Sequence, residues 1–74
     1  MNEHQAMVRR ILDTAAGMFP SYIGGPGFWR YVKDEAGIEG FQIEETNIEA
    51  PPAPTKVYFH TNSEALLVEW ISPR

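Results

Sequence analysis

The side chains able to do chemistry are few, and their spacing does not serve it. Imidazoles occur only at His4 and His60, which gives no ligand spacing for a metal, and the chain has no cysteine to supply a thiolate. His60 reads as a solvated polar residue on an outer strand face. Ser63 follows His60 closely, but in a turn and not at the strand-turn-helix elbow that presents a nucleophilic serine, and no carboxylate is placed to orient the histidine. Glu44 and Glu45 are adjacent, so on an extended chain they point to opposite faces and cannot act on one substrate as acid and base. The expectation is a protein with no catalytic set, no metal and no cofactor.

Two stretches remain that could bind something. Residues 20–31 hold three of the six glycines, two of the six prolines and four of the nine aromatic residues. A glycine-rich turn that opens a helix can cradle an anion, because free N–H groups point at it and the helix dipole favours negative charge. On that reading Gly24, Gly25 and Gly27 would line a ligand or nucleotide site, with Tyr22, Trp29 and Tyr31 as stacking surfaces. The stretch lacks the lysine and Ser/Thr of a phosphate loop, and Pro26 removes one donor, so a tight corner between helices is the plainer reading.

The second stretch is acidic. Asp34, Glu35, Glu39, Glu44, Glu45 and Glu49 fall within sixteen positions, and no Lys or Arg occurs from 34 through 55. Acids on a small protein of net charge −4 ordinarily keep it soluble. The functional reading makes Asp34, Glu35, Glu39, Glu44 and Glu45, with Tyr58 and His60, a surface that meets a basic patch on another protein, where charge speeds encounter and aromatics anchor. The cations Arg9, Arg10, Arg30, Lys33, Lys56 and Arg74 are too few and scattered to track phosphates, so direct nucleic-acid binding is disfavoured.

These residues need a scaffold, and 74 residues allow one small domain, 1–74, in which nearly every large apolar side chain is needed for the core. No apolar run approaches the roughly 20 residues of a membrane span. The absence of cysteine fits a reducing cytoplasm. Val8, Ile11, Leu12, Ala15, Met18 and Phe19 recur at helical spacing and predict an amphipathic helix over 3–18, opened by an Asn2–Gln5 capping box and stopped by Pro20. Pro26 suits the first turn of a second helix that carries Phe28, Trp29, Tyr31, Val32 and Ala36, with Gly37-Ile38 as its left-handed cap. A strand over 28–33 competes, because Phe-Trp-Arg-Tyr-Val also suits a sheet. In the helical version Trp29 is expected in the core.

From Gly40 the period changes to two. Phe41 and Ile43 alternate with Gln42 and Glu44 and predict a strand that ends near Ile48, and 50–54 reads as an extended proline-rich connection. Residues 56–61 and 65–71 form a hairpin around Asn62-Ser63-Glu64. Its inner face takes Val57, Phe59, Leu66, Val68 and Trp70. Its outer face takes Tyr58, His60, Leu67 and Ile71, more apolar than water requires, which points to a protein partner or to a homodimer through the sheet. Residues 72–74 are expected to fray.

The fold expected is α+β, two N-terminal helices on a three-stranded antiparallel sheet, with one helix on a four-stranded meander as the alternative. In size, acidity and lack of cysteine the chain resembles the small inhibitors, antitoxins and accessory proteins of phages and mobile elements. That likeness covers no motif and transfers no residue role. It implies a non-enzymatic inhibitor or adaptor.

Overall fold

A computed structural model describes residues 3–49 and 53–72. Two helices, α1 (Glu3–Met18) and α2 (Pro26–Ile38), precede three strands, β1 (Gln42–Ile43), β2 (Thr55–His60) and β3 (Ala65–Trp70). The strands form one antiparallel sheet in the order β1-β2-β3. α1 packs against α2 and β3, and α2 packs against β1, so the helices cover one face of the sheet. Residues 28–33 are helical, which settles the choice between helix and strand and excludes the four-stranded meander.

α1 buries Val8, Ile11, Leu12, Ala15 and Ala16. Met18, expected on the same face, is 55% exposed, because it sits at the margin of that stripe in the last turn. Asn2 lies outside the described residues, and the Gln5 amide reaches across to donate to the Leu67 carbonyl at 2.9 Å. Between the helices the chain turns through hydrogen bonds from Tyr22 N–H to Phe19 O and from Gly25 N–H to Tyr22 O. Gly24 has φ +85°, and a Cβ there would also press on Ile48 at 3.2 Å. At this position only glycine fits without strain. Pro26 then opens α2 as expected.

The end of α2 differs from expectation by three residues. The helix runs through Gly37, and the left-handed residue is Gly40, at φ +87°. Phe41 N–H donates to Ala36 O and Gly40 N–H to Gly37 O, the paired bonds of a Schellman cap. Gly37-Ile38 and Gly40-Phe41 carry the same local signal, and tertiary packing chooses between them. Ending at Gly40 buries Phe41 edge-on against Phe59 at 5.4 Å and leaves Ile38 exposed.

β1 is also shorter than expected. After Ile43 one more ladder bond forms, from Glu44 N–H to Tyr58 O, and the chain then leaves the sheet. Glu45 pairs with Lys33 of α2 at 2.7 Å, and Ile48 packs against the core, so neither continues a strand. The hairpin has a two-residue loop, Asn62-Ser63, closed by Thr61 N–H to Glu64 O, while Thr61 Oγ1 accepts from the N–H groups of Ser63 and Glu64. Ser72, expected to fray, is buried, and residues 73 and 74 lie outside the described part, as do 50–52 of the connection.

The core is one cluster. Phe28, Phe59, Leu12, Val8, Val32, Val57 and Val68 are its largest fully buried side chains. Trp29 and Trp70 flank Phe28 at ring distances of 5.2 and 5.9 Å, and Trp70 satisfies its indole N–H on Asp13 Oδ1 at 2.8 Å. That bond ties the last strand to the first helix.

Candidate functional site

The strand period places Tyr58, His60, Leu67 and Ile71 on the face of the sheet away from the helices, as the alternation predicts. Tyr58 lies directly opposite Leu67 on β3, and on its other side Glu44 donates its N–H to the Tyr58 carbonyl. One row across the sheet is therefore Glu44, Tyr58, Leu67. The next is Gln42, His60, Ala65, and on the far side Lys56 faces Glu69. Tyr58 is 47% exposed and Ile71 59%, while Leu67 is half-buried. Among the described residues no helix covers this face.

Its charges are partly spent within the fold. Glu44 Oε1 accepts from His60 Nε2 at 3.0 Å, both groups exposed, which bridges β2 to the segment after β1. Glu45, next in sequence, turns the other way to Lys33. The two neighbouring carboxylates thus point to different surfaces, as extended backbone requires. Asp34 and Glu39 are exposed and Glu35 is half-buried near the C-terminal end of α2. α2 packs on β1, and its Lys33 reaches Glu45 of the segment after β1. Lys33 is a counter-charge to Glu45 within the acidic block, and Tyr58 stands one strand in from Glu44.

The corner at residues 22–31 is arranged differently from a ligand site built on aromatic faces. Trp29 is 4% exposed and packs in the core, as expected for the helical version, and Tyr31 is half-buried against the same cluster. Tyr22 is exposed, so the three rings do not share one surface. Gly25 has φ −77° and lies against Tyr22 O, and a Cβ at Gly27 would meet the Phe19 ring at 3.1 Å. The glycines let helix, turn and ring approach one another.

The second imidazole, His4, contacts Glu64 Oε1 through Nδ1 at 3.0 Å and lies edge-on to Phe41. Ser63 Oγ contacts Thr61 Oγ1, a hairpin-loop bond. Among the described residues no group of three or more His, Asp or Glu could hold a metal ion, and no helix is long and apolar enough to cross a membrane. The contacts of Gln5 with Leu67 and of Asp13 with Trp70 span 62 and 57 positions, and nothing local in the sequence signals them. No protein-family model, curated protein or solved structure matches this chain.

Proposed function

We propose that this chain is a small non-enzymatic protein-binding module, an inhibitor or adaptor of the phage or mobile-element type, acting in the cytoplasm. Its docking surface is the outer sheet face centred on Tyr58, with Leu67 and Ile71 as apolar contacts, and its partner carries basic groups that meet Glu44, Glu39 and Asp34. The observation that carries this reading is the outer face itself. Tyr58 and Ile71 are large, exposed and on a regular surface that the two helices leave open.

Such a face works as anchor and rim. An aromatic ring held on a strand loses little side-chain entropy on binding and buries a large area, while exposed acids around it act mainly on the rate and orientation of encounter. Glu44 belongs to the rim. It lies beside Tyr58 and bonds the His60 imidazole, and a Lys or Arg of a partner would compete for that carboxylate.

The test compares proteins captured from a cell lysate by the wild-type chain with those captured by Tyr58→Ser/Leu67→Ser. A protein retained by the first and lost by the second, with both chains equally folded by circular dichroism, is the expected result. An identical set of captured proteins overturns the assignment of the face. Sedimentation at tens of micromolar is run alongside, and a dimer that the double substitution dissociates would make a second copy of the chain the occupant.

A further inference from the structure

The two edges of the sheet are unlike in length. β1 contributes two residues and is backed by α2, whereas β3 offers six residues of regular strand and is backed by α1. Because Tyr58 directs its carbonyl to Glu44, the Tyr58–Leu67 pair is not hydrogen-bonded, and the N–H and C=O groups of Leu67 point away from β2. The Gln5 bond to Leu67 O agrees independently with this polarity. The strand period gives Ala65 and Glu69 the same outward direction. Apart from the Gln5 contact, no bond joins these outward groups to another described residue.

A helix flank runs beside that edge. Gln5, Arg9 and Asp13 recur at four-residue spacing, which places them in one stripe along α1. The outer two are bonded to β3, Gln5 to the Leu67 carbonyl and Asp13 to the Trp70 indole. Arg9, between them, is half-buried and has no hydrogen-bond or ion-pair partner among the described residues. It lines two adjoining clefts of about 220 and 330 Å³, in company with Leu67 and Glu69 in the first and with Asp13, Glu69, Trp70 and Ile71 in the second. Glu69 belongs by strand period to the outer face, opposite Lys56, and Asp13 is engaged by Trp70. The guanidinium is the cation of the clefts and, like the exposed Glu69 carboxylate beside it, has no ion-pair partner among the described residues.

We propose that the β3 edge and Arg9 together form a strand-addition site for an extended segment of a partner protein, one that alternates apolar residues with a carboxylate. An open strand edge supplies main-chain hydrogen bonds to any extended chain, and selectivity comes from what the alternate side chains meet. Toward the helix they meet Arg9, which prefers a carboxylate held in a two-pronged bond. Away from it they extend the apolar surface of Leu67 and Ile71. Gln5, an amide already bonded to an edge carbonyl, marks the track such a chain would follow. The site shares Leu67 and Ile71 with the outer face, but the β3 edge amides and Arg9 belong to it alone, so the Arg9 variants test it apart from the basic-partner reading.

The test selects peptides from a displayed random-octapeptide library on the immobilised full chain, then titrates one recovered peptide into the isotopically labelled protein. The expected peptides alternate apolar residues with Asp or Glu, protect the Leu67 and Glu69 amides from hydrogen exchange, and lose binding when one edge-facing peptide amide is methylated. Arg9→Glu and the milder Arg9→Gln, each verified as folded by thermal melting, should weaken binding at least about tenfold, the scale of a lost hydrogen bond to a charged group. Failure to recover convergent peptides overturns the proposal, as does equal affinity in the Arg9 variants. So does protection of the Leu67 and Glu69 amides that rises with protein concentration in the absence of peptide, because a second copy would then be the occupant.

Discussion

The inner and outer faces of the hairpin are built from the same two strands, residue by residue in alternation, and have opposite properties. Val57, Phe59, Val68 and Trp70 point inward and are buried, while Tyr58 and Ile71 point outward and are about half exposed. The period of two decides which side chain goes where, but not what each face is for. On the inner face, apolar character is accounted for by α1 and α2. On the outer face it exceeds what the fold needs, and that surplus is the basis of the functional reading.

Replacing a single inward residue should break the contrast most severely. Phe59→Ala is expected to cost about 3–5 kcal/mol and to unfold most of so small a protein, as read by chemical denaturation, and Trp29→Ala should behave alike. Tyr58→Ala, one position away, should change stability by no more than about 0.5 kcal/mol. Equal losses at Phe59 and Tyr58 would mean that the outer face is also structural. The next effect in size tests how the inner face is assembled. Phe41 reaches it through the left-handed turn at Gly40, so Gly40→Ala should cost about 1–2 kcal/mol, whereas Gly37→Ala, in the helix and with open space around it, should be stabilising by about 0.5–1 kcal/mol. Reversed signs would return the helix cap to Gly37.

Trp70→Phe keeps most of the ring but removes the bond to Asp13, and about 1 kcal/mol should be lost, seen as a drop of several degrees in Tm. The smallest effects belong to the exposed ion pairs. Glu44→Lys and Glu45→Lys break contacts with His60 and Lys33 that are each worth less than about 1 kcal/mol at such exposure. On the proposed function Glu44→Lys should still slow association with the captured partner and weaken its salt dependence, and Glu45→Lys should do less because that carboxylate faces α2. Equal effects at the two positions would make the acidic block act by net charge alone.

Much of this fold is legible because its signals are local. The boundaries of α1, the Pro26 start of α2, the hairpin and its inward and outward residues follow from periods of three to four and of two, punctuated by Gly and Pro. Where the structure departs from the sequence expectation, equal local signals compete or distant partners decide. Gly37-Ile38 is the expected cap, Gly40-Phe41 carries the same local signal, and contact with Phe59, far along the chain, selects the second. β1 stops early because Lys33 and the core claim the residues that would have continued it. Of the candidate site, Tyr58 and its face could be read from alternation. The division of Glu44 and Glu45 between two surfaces could be argued in the same way, but their partners could not be named. The β3 edge beside Arg9 left no mark in the sequence, since it depends on α1 lying along the last strand.

Docking of a partner on the outer sheet face is open to side-chain footprinting. Hydroxyl radicals modify exposed aromatic and aliphatic side chains, so the free chain should be labelled at Tyr58, Ile71, Tyr22, Ile38 and Met18, all of them exposed. In complex with the captured partner, labelling should fall at Tyr58, Leu67 and Ile71 and persist at Tyr22 and Met18. Protection of Tyr22 and Met18 with Tyr58 and Ile71 still labelled would rule out the outer face and move the binding surface to the corner between the helices.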